Sequence, residues 1–258
     1  MQPLSQFKGS IKVLFTDIDD TLTWQGQLPP QSYEMLWKLQ ESGIQIVPVT
    51  GRPAGWCEMI ARMWPVSGVV GENGAFYFQY LNKKMTRVFG VKEEERIKNQ
   101  QKLQKIKTEI LEKIEGTAVA SDQFTRLFDL AIDFCEDVEP LGPKQVDQIV
   151  GIFKRHGATA KVSSIHVNGW FGNYDKRSMC EVYYQNNFGK SLANSLNDVA
   201  FVGDSPNDEP LFDFFENSFA VANILNFKDQ LKSPPKFVAP SVGAKGFVEV
   251  AKLLLKNK

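Results

Sequence analysis

The sequence has few residues of several chemically informative kinds. It contains three cysteines and two histidines in 258 residues, and thirty basic side chains balance thirty acidic ones. Without a net charge there is no overall field to attract nucleic acid or an anionic membrane. No apolar run is long enough to span a bilayer, and residues 1–10 contain no stretch typical of a signal peptide. We therefore expect a cytoplasmic protein without nucleic-acid or membrane partners.

The scarcity of cysteine and histidine also restricts the class of enzyme. Cys57, Cys135 and Cys180 are far apart and have no metal-ligand spacing, which is typical of a reducing compartment and argues against a zinc site. A serine hydrolase would have to use His156 or His166, but the chain has no Gly-x-Ser-x-Gly turn. Acid–base chemistry therefore falls to carboxylates.

Short apolar strands alternate with amphipathic helices in the first and last parts of the chain. This βα rhythm predicts an α/β fold with a doubly wound parallel sheet. The predicted strands are 13–15, 44–49, 66–71, 199–202 and 218–222, and the predicted helices are 32–42, 55–63, 176–188, 209–215 and 246–256.

The middle of the chain has a different pattern. Strands are predicted at 76–80, 86–89, 117–120, 126–134 and 159–167, with helices at 92–115 and 142–156. Antiparallel strands with two helices indicate a small α+β domain inserted into the α/β core. We expect residues 1–80 and 174–258 to form the core and residues 81–173 to form the inserted domain.

Polar side chains follow the first predicted strand where that strand ends. Asp17 and Asp19 are two residues apart, so on a continuing strand their side chains would point the same way. Such a pair can hold a hard cation while one carboxylate oxygen attacks phosphorus. Taken alone, the stretch is equally compatible with a turn or a helix cap.

Three further polar positions follow predicted strands or begin helices. Thr50 and Gly51 suit an anion, although an N-cap threonine would also explain them. Two carboxylates and an amide in Gly203–Asp208 suit an oxygen-ligated Mg²⁺ or an ordinary turn, and Lys176 could neutralise a phosphate. Strand ends of a doubly wound sheet meet along one edge, so the joint occurrence favours a site.

In this order the clusters closely resemble the motifs of the haloacid dehalogenase (HAD) superfamily of phosphatases. Asp17-x-Asp19-x-Thr21 matches the first motif, Thr50 the second, Lys176 the third and Gly203-Asp204-x-x-Asn207-Asp208 the fourth. Glu72-Asn73-Gly74-Ala75 and the inserted segment are similar to the Cof-type branch, subfamily IIB, which has a C2B cap and includes sugar phosphatases and eukaryotic-type phosphomannomutases. Asp20 departs from that branch, where glycine is common.

The resemblance implies an Mg²⁺-dependent phosphomonoesterase that acts on a small organic phosphate, such as a sugar phosphate, through an aspartyl phosphate. It assigns Asp17 as nucleophile and Asp19 as general acid and base. The implied metal ligands are Asp17, the backbone carbonyl of Asp19, Asp204 and, through water, Asp208. Implied phosphate-binding residues are Thr50, Gly51 and Lys176, with Asn207 orienting the fourth-motif loop. Candidate substrate residues are Arg52, Asn73, Arg126, Asn168 and Trp170.

Three other functions remain open at this point. A phosphomannomutase-like phosphosugar mutase would use the same nucleophile and return the phosphoryl group to the sugar. A phospho-aspartate signalling receiver also combines acidic residues with a threonine and a lysine, but receivers are about half this length and have no inserted domain. A binding protein without activity is disfavoured, because every position that a phosphatase needs is filled. The expected partner is a small phosphorylated metabolite, and the expected state is a monomer or homodimer.

Overall fold

The structure, a computed structural model, describes residues 1–163 and 165–258. Its strands are β1 (Gln2–Pro3), β2 (Val13–Thr16), β3 (Gln45–Pro48), β4 (Val69–Gly71), β5 (Phe76–Leu81), β6 (Lys84–Phe89), β7 (Ala118–Val119), β8 (Leu130–Asp133), β9 (Thr159–Val162), β10 (His166–Trp170), β11 (Val199–Gly203), β12 (Asn217–Ala220) and β13 (Phe237–Val238). Its α-helices are α1 (Pro30–Glu41), α2 (Ala54–Met63), α3 (Glu93–Lys113), α4 (Pro143–Arg155), α5 (Lys176–Phe188), α6 (Glu209–Phe214) and α7 (Gly243–Lys256). Among the described residues, no helix has the length and apolar content that a membrane crossing requires.

A parallel six-stranded sheet forms the centre of the fold, in the order β1-β13-β12-β11-β2-β3. The two ends of the chain meet where β11 pairs with β2, with Val199 opposite Val13 and Val202 opposite Thr16. Helices cover both faces of this sheet, so the predicted doubly wound α/β core is confirmed.

Alternating side chains of the central strands pack into separate cores on the two faces. On one face, Leu14 packs with residues of α1 and α7 such as Leu36 and Phe247. On the other face, Phe15 packs with Tyr183 of α5 and with residues of α6. Because both faces are covered, β2 reads as an unbroken apolar run rather than an alternating one.

The segment from α3 to β10, which we call the insert, forms an α+β layer of its own. Its antiparallel sheet has the order β7-β8-β10-β9, and α3 and α4 pack on one face through residues such as Ile106 and Phe153. A Cβ at Gly169 would lie 2.0 Å from the Phe153 ring, so glycine lets α4 approach the sheet. The predicted inserted α+β layer is thus confirmed.

A third sheet, β4-β5-β6, lies beside the core. The hairpin between β5 and β6 turns on Asn82 and Lys83, whose φ angles are 51° and 62°, as a type I′ turn requires. The boundary predicted at residue 80 would fall inside this hairpin, whose strands pair over six positions. We propose that the inserted domain begins only after β6.

Two strand predictions are wrong in extent. The strand predicted at 126–134 is limited to β8, because residues 127–129 direct their N–H groups to a side chain of the core. The strand predicted at 159–167 is divided between β9 and β10, which form an antiparallel pair with Val167 opposite Val162. Residue 164 of that predicted strand lies outside the described residues.

Glu72 is the side chain that binds residues 127–129. Its buried carboxylate accepts hydrogen bonds from the backbone of Leu127 at 2.9 Å, Phe128 at 2.6 Å, Asp129 at 3.1 Å and, at the start of α2, Ala54 at 3.0 Å. Burial and the nearby Asp129 raise the pKa of Glu72 to about 8, while Arg126 and backbone donors act in the opposite direction. One carboxylate therefore joins the core to the insert.

We expect Glu72→Ala to destabilise the protein strongly. The substitution leaves several buried N–H groups without an acceptor, and each such group costs roughly 1–3 kcal/mol, so the free energy of unfolding should fall by at least about 3 kcal/mol. Urea denaturation measures this change. Glu112→Ala, on the exposed face of α3, is the control and should change stability by less than about 0.5 kcal/mol. Equal midpoints for the two variants would contradict the role assigned to Glu72.

Candidate active site

Two neighbouring strands bring three carboxylates together at one edge of the core sheet. Asp17 follows β2 and donates its backbone N–H to Val202 O at 2.9 Å, while Asp204 follows β11. One carboxylate oxygen each of Asp17, Asp204 and Asp208 lies within 4.8 Å of the others, and all three residues are buried. A Cβ at Gly203 would lie 2.3 Å from Asp208 Oδ2, so the close approach of Asp208 requires glycine there.

Lys176 neutralises part of this acidic cluster. Its Nζ donates to Asp17 Oδ1 and to Asp208 Oδ1, both at 2.8 Å. Lys176 is the first residue of α5, whose start is fixed by the Asp175 carboxylate accepting from Ser178 N at 2.8 Å. The position of the ammonium group therefore follows from a capped helix end.

The remaining negative charge shows in the pKa values. Burial raises the pKa of Asp17 to about 8, with Lys176 opposing the shift and Asp208 and Asp19 adding to it. Burial, followed by the charges of Asp17 and Asp208, also raises the pKa of Asp204 well above its usual range. Burial acts to lower the pKa of Lys176, but the charges of Asp17 and Asp208 outweigh it and raise that pKa. Three carboxylates share one ammonium group, and an oxygen-only donor set of this kind suits a hard cation.

Asp19 stands apart from the three clustered carboxylates. Because β2 ends at Thr16, Asp17 and Asp19 lie beyond the strand, and the shared orientation that a continuing strand would give their side chains does not apply. The Asp19 carboxylate instead accepts from Arg52, with distances of 3.1 Å from Nε to each oxygen and 2.9 Å from Nη2 to Oδ1. The Arg52 backbone N–H in turn donates to Thr50 Oγ1 at 3.0 Å.

A cavity of about 40 Å³ lies between the core and the insert, directly over these groups. Its core side is lined by Asp17, Asp19, Gly51, Arg52, Asn73, Lys176, Asp204, Ser205 and Asn207, and its insert side by Arg126, Ser163, Ile165, His166 and Asn168. A cavity of about 330 Å³ adjoins it at Asp19 and Arg52, and one of about 240 Å³ at Asn73, Lys176 and Asn207.

Most of the residues singled out from the sequence meet at this cavity, and three of them do not line it. Thr50 and Asp208 are fully buried behind it. Trp170 stacks on Tyr174, with ring centroids 5.9 Å apart, and lines the 240 Å³ cavity. The functional roles of all these residues remain predictions at this stage.

Some predicted substrate residues already have partners within the protein. Arg126 Nη1 donates to Gly51 O and to Asp129 Oδ1, both at 3.0 Å. Asn168 Nδ2 donates to Asp129 Oδ2 at 3.0 Å, so the insert side of the cavity is a hydrogen-bonded network. This network holds the insert against the second-motif loop of the core.

The sequence analysis did not identify His166, Glu136 or Asp122 as site residues. His166 lines the cavity, and its Nε2 lies 2.9 Å from Glu136 Oε2. The signal for His166 was its two-residue spacing from Asn168 and then Trp170, which places all three on one face of β10. No local sequence pattern indicated Glu136 and Asp122, because both face Arg52, which lies far away in the sequence.

Comparison with known proteins agrees with this architecture. Residues 14–191 match the haloacid dehalogenase-like hydrolase family. No curated protein matches the chain in sequence. Solved structures with the same fold include Thermoplasma acidophilum 0175, at 15% identity and a TM-score of 0.74, covering 96% of this chain and 100% of that one. A HAD/COF-like hydrolase from Plasmodium vivax has 18% identity, a TM-score of 0.71 and 97% coverage of both chains.

A third solved structure is the sucrose-phosphatase from Synechocystis sp. PCC6803, described in complex with sucrose and phosphate. It has 17% identity and a TM-score of 0.64, and the alignment covers 95% of this chain and 98% of that one. Since the family match covers well over half of the chain, the protein belongs to the haloacid dehalogenase-like hydrolases. Its core and inserted α+β layer have the fold of the HAD/COF-like hydrolase from Plasmodium vivax.

Lys176→Ala should strongly destabilise the protein when divalent cations are absent. The substitution leaves Asp17 and Asp208 buried without their cation, and breaking a buried ion pair costs about 3–5 kcal/mol. Chemical denaturation in a chelating buffer measures the loss. Lys12→Ala, which removes an exposed ion pair with Asp198, serves as the control and should have little effect. If both variants unfold at the wild-type midpoint, Lys176 does not stabilise the acidic cluster.

Proposed function

We propose that this protein is an Mg²⁺-dependent phosphomonoesterase that hydrolyses a small organic phosphate, in particular a sugar phosphate, through an aspartyl-phosphate intermediate. The observation that carries the proposal is the position of Asp17. Its carboxylate follows the carboxyl end of β2, accepts a hydrogen bond from Lys176 and has an oxygen within 4.8 Å of two further carboxylates. The reaction class agrees with the hydrolase family of the chain.

Asp17 is the proposed nucleophile. A carboxylate oxygen forms a bond to phosphorus while the bond from phosphorus to the substrate oxygen breaks, which divides one difficult displacement into two easier ones. Lys176 favours the charged form of Asp17, against the effect of burial, and together with Gly51, Thr50 and neighbouring backbone N–H groups it offers positive charge to the phosphoryl oxygens.

Asp19 is the proposed acid and base. It lines both the 40 Å³ cavity beside Asp17 and the adjoining 330 Å³ cavity. In its protonated form it gives a proton to the departing alkoxide, and the carboxylate that results then takes a proton from the water that attacks the aspartyl phosphate, which restores the starting form. The water oxygen bonds to phosphorus, and Asp17 leaves as a carboxylate with inorganic phosphate as product.

The acidic cluster fits the metal that the family resemblance implies. Asp17, Asp204 and Asp208 would hold Mg²⁺ together with the backbone carbonyl of Asp19, and Mg²⁺ prefers oxygen ligands and retains some water. When bound, the ion would supply positive charge that neutralises the phosphoryl oxygens.

Cavity size supports a two-part arrangement of the substrate. Ordinary ligand pockets measure roughly 300–1,000 Å³, so the 40 Å³ cavity suits only the phosphoryl end. The leaving group would occupy the 330 Å³ cavity, where Asp20 and Gln25 offer polar groups to hydroxyls. The sucrose-phosphatase of the same fold, described in complex with sucrose and phosphate, is an example of a phosphatase that binds a sugar. Entry of the substrate would require the insert to move away from the core.

Asp17→Asn should reduce the hydrolysis of p-nitrophenyl phosphate by at least about 10³-fold, because the amide cannot form the covalent intermediate. Release of nitrophenolate measures the rate, and Asp229→Asn, an exposed position far along the chain, is the control. Undiminished turnover by Asp17→Asn would exclude Asp17 as the nucleophile. A panel of sugar phosphates, assayed for inorganic phosphate and for isomerised sugar, would separate hydrolysis from the mutase alternative.

Mg²⁺ should raise the melting temperature of the wild-type protein. At 100 times its dissociation constant, an ion that binds only the folded state stabilises it by about 2.7 kcal/mol, which for this chain length is a rise of roughly 5–10 °C. Differential scanning fluorimetry at constant ionic strength measures the shift. Asp204→Asn should lose the shift and Asp229→Asn should keep it. Equal shifts in both variants would place the cation elsewhere.

A further inference from the structure

Arg52 contacts carboxylates from both sides of the interface between core and insert. Nε and Nη2 form one edge of its guanidinium group and bind Asp19 of the core at 2.9–3.1 Å. Nη1 faces the insert, 3.4 Å from Glu136 Oε1 and 3.9 Å from Asp122 Oδ2. The side chain is only 8% exposed, so water does not satisfy these donors in place of the carboxylates.

We propose that Arg52 is a positioning residue for Asp19, and that Glu136 and Asp122 of the insert act on Asp19 through it. The carboxylate that transfers protons is then set in place only when the insert rests on the core. This inference depends on the proposed function, because it is that function which gives Asp19 its proton-transfer role.

The shape of the arginine side chain makes this coupling possible. Guanidinium is planar, with its donors in a fixed fork, so the orientation of one edge determines the orientation of the other. The Trp56 ring lies 4.5 Å from Arg52 Cζ and supports one face of the plane. At the backbone, the bond from Arg52 N to Thr50 Oγ1 fixes the residue to the second-motif turn. The guanidinium plane can still rotate, and its orientation is determined by Glu136 and Asp122, which face Nη1.

Each insert carboxylate is itself held by a basic group of the insert. Glu136 Oε2 lies 2.9 Å from His166 Nε2 on β10. Asp122 Oδ1 accepts from Arg126 Nε at 3.1 Å. Both acids therefore keep their positions relative to the insert, and they leave Arg52 when the insert leaves the core. The Asp19 carboxylate, 28% exposed even with the insert in place, then loses its fixed orientation.

Two aryl phosphates of similar size test the proposal. Phenolate is a poor leaving group that needs a proton, whereas p-nitrophenolate leaves readily without one. A defect in positioning Asp19 should therefore lower kcat/KM for phenyl phosphate much more than kcat/KM for p-nitrophenyl phosphate. The ratio kcat/KM reports the step that releases the phenol, whereas the later hydrolysis of the aspartyl phosphate is the same for both esters and affects kcat alone. Because general acid catalysis contributes typically about 10²–10⁴-fold, partial loss should lower kcat/KM for phenyl phosphate by about 10–100-fold. For p-nitrophenyl phosphate, kcat/KM should fall by less than about threefold.

The variants are Glu136→Gln, the double change Glu136→Gln with Asp122→Asn, and Arg52→Lys, which keeps the charge but loses the fork. We expect the selective loss on phenyl phosphate to be smallest in Glu136→Gln and larger in the double variant and in Arg52→Lys. Glu139→Gln, a solvent-exposed change three residues from Glu136, is the matched control and should retain the wild-type ratio of the two rates. Melting temperatures measured in parallel confirm that each variant is folded at the assay temperature.

The possible outcomes separate the inference from the function on which it rests. A selective loss on phenyl phosphate supports the coupling. Equal losses of kcat/KM for both esters, or a ratio of the two kcat/KM values unchanged in every variant, would overturn it while leaving the phosphatase proposal intact. If the wild-type protein releases phosphate from neither ester, the proposed function fails and the inference fails with it.

Discussion

Crowded negative charge at one edge of the core sheet is the constraint on which the rest of the structure depends. Asp17, Asp204 and Asp208 are buried together because β2 and β11 are neighbours and end at the same edge. Such a cluster is unfavourable unless positive charge enters it. Lys176 supplies one positive charge from a capped helix end, and the proposed Mg²⁺ would supply the remaining positive charge. An oxygen-only acidic cluster of this kind suits a hard cation, as the proposed phosphoryl chemistry requires.

Local patterns in the sequence were sufficient to predict the core and the acidic cluster. The alternation of strands and helices can be recognised from neighbouring residues alone. A parallel sheet then brings the strand ends together whatever the length of chain between them, so Asp17 and Asp204 could be predicted to lie close to each other. The roles assigned to these residues stay proposals. The same reasoning did not place the side chain of Asp19, because an apolar run does not indicate how the backbone continues after it leaves the sheet.

Features that depend on distant partners could not be predicted. Residues 127–129 look like part of a strand, yet their N–H groups bind the Glu72 carboxylate, some 55 positions earlier in the chain. The groups around Arg52 come from the first motif and from two separate loops of the insert. No periodicity connects such residues, since their association depends on how the insert sits on the core. Prediction from sequence was therefore strongest within the sheet and weakest at the interface.

The attachment of the insert through Glu72 has a consequence for how this fold can change. The groups of the insert that bind Glu72 are the main-chain N–H groups of residues 127–129. Every residue except proline has such a donor. Side chains elsewhere in the insert, such as Ser163 and Ile165 of the cavity lining, can be exchanged without removing this attachment. Mutation can thus alter the surface that would contact the substrate while the insert stays attached to the core. One buried glutamate would in this way let a single architecture diverge towards many different metabolites.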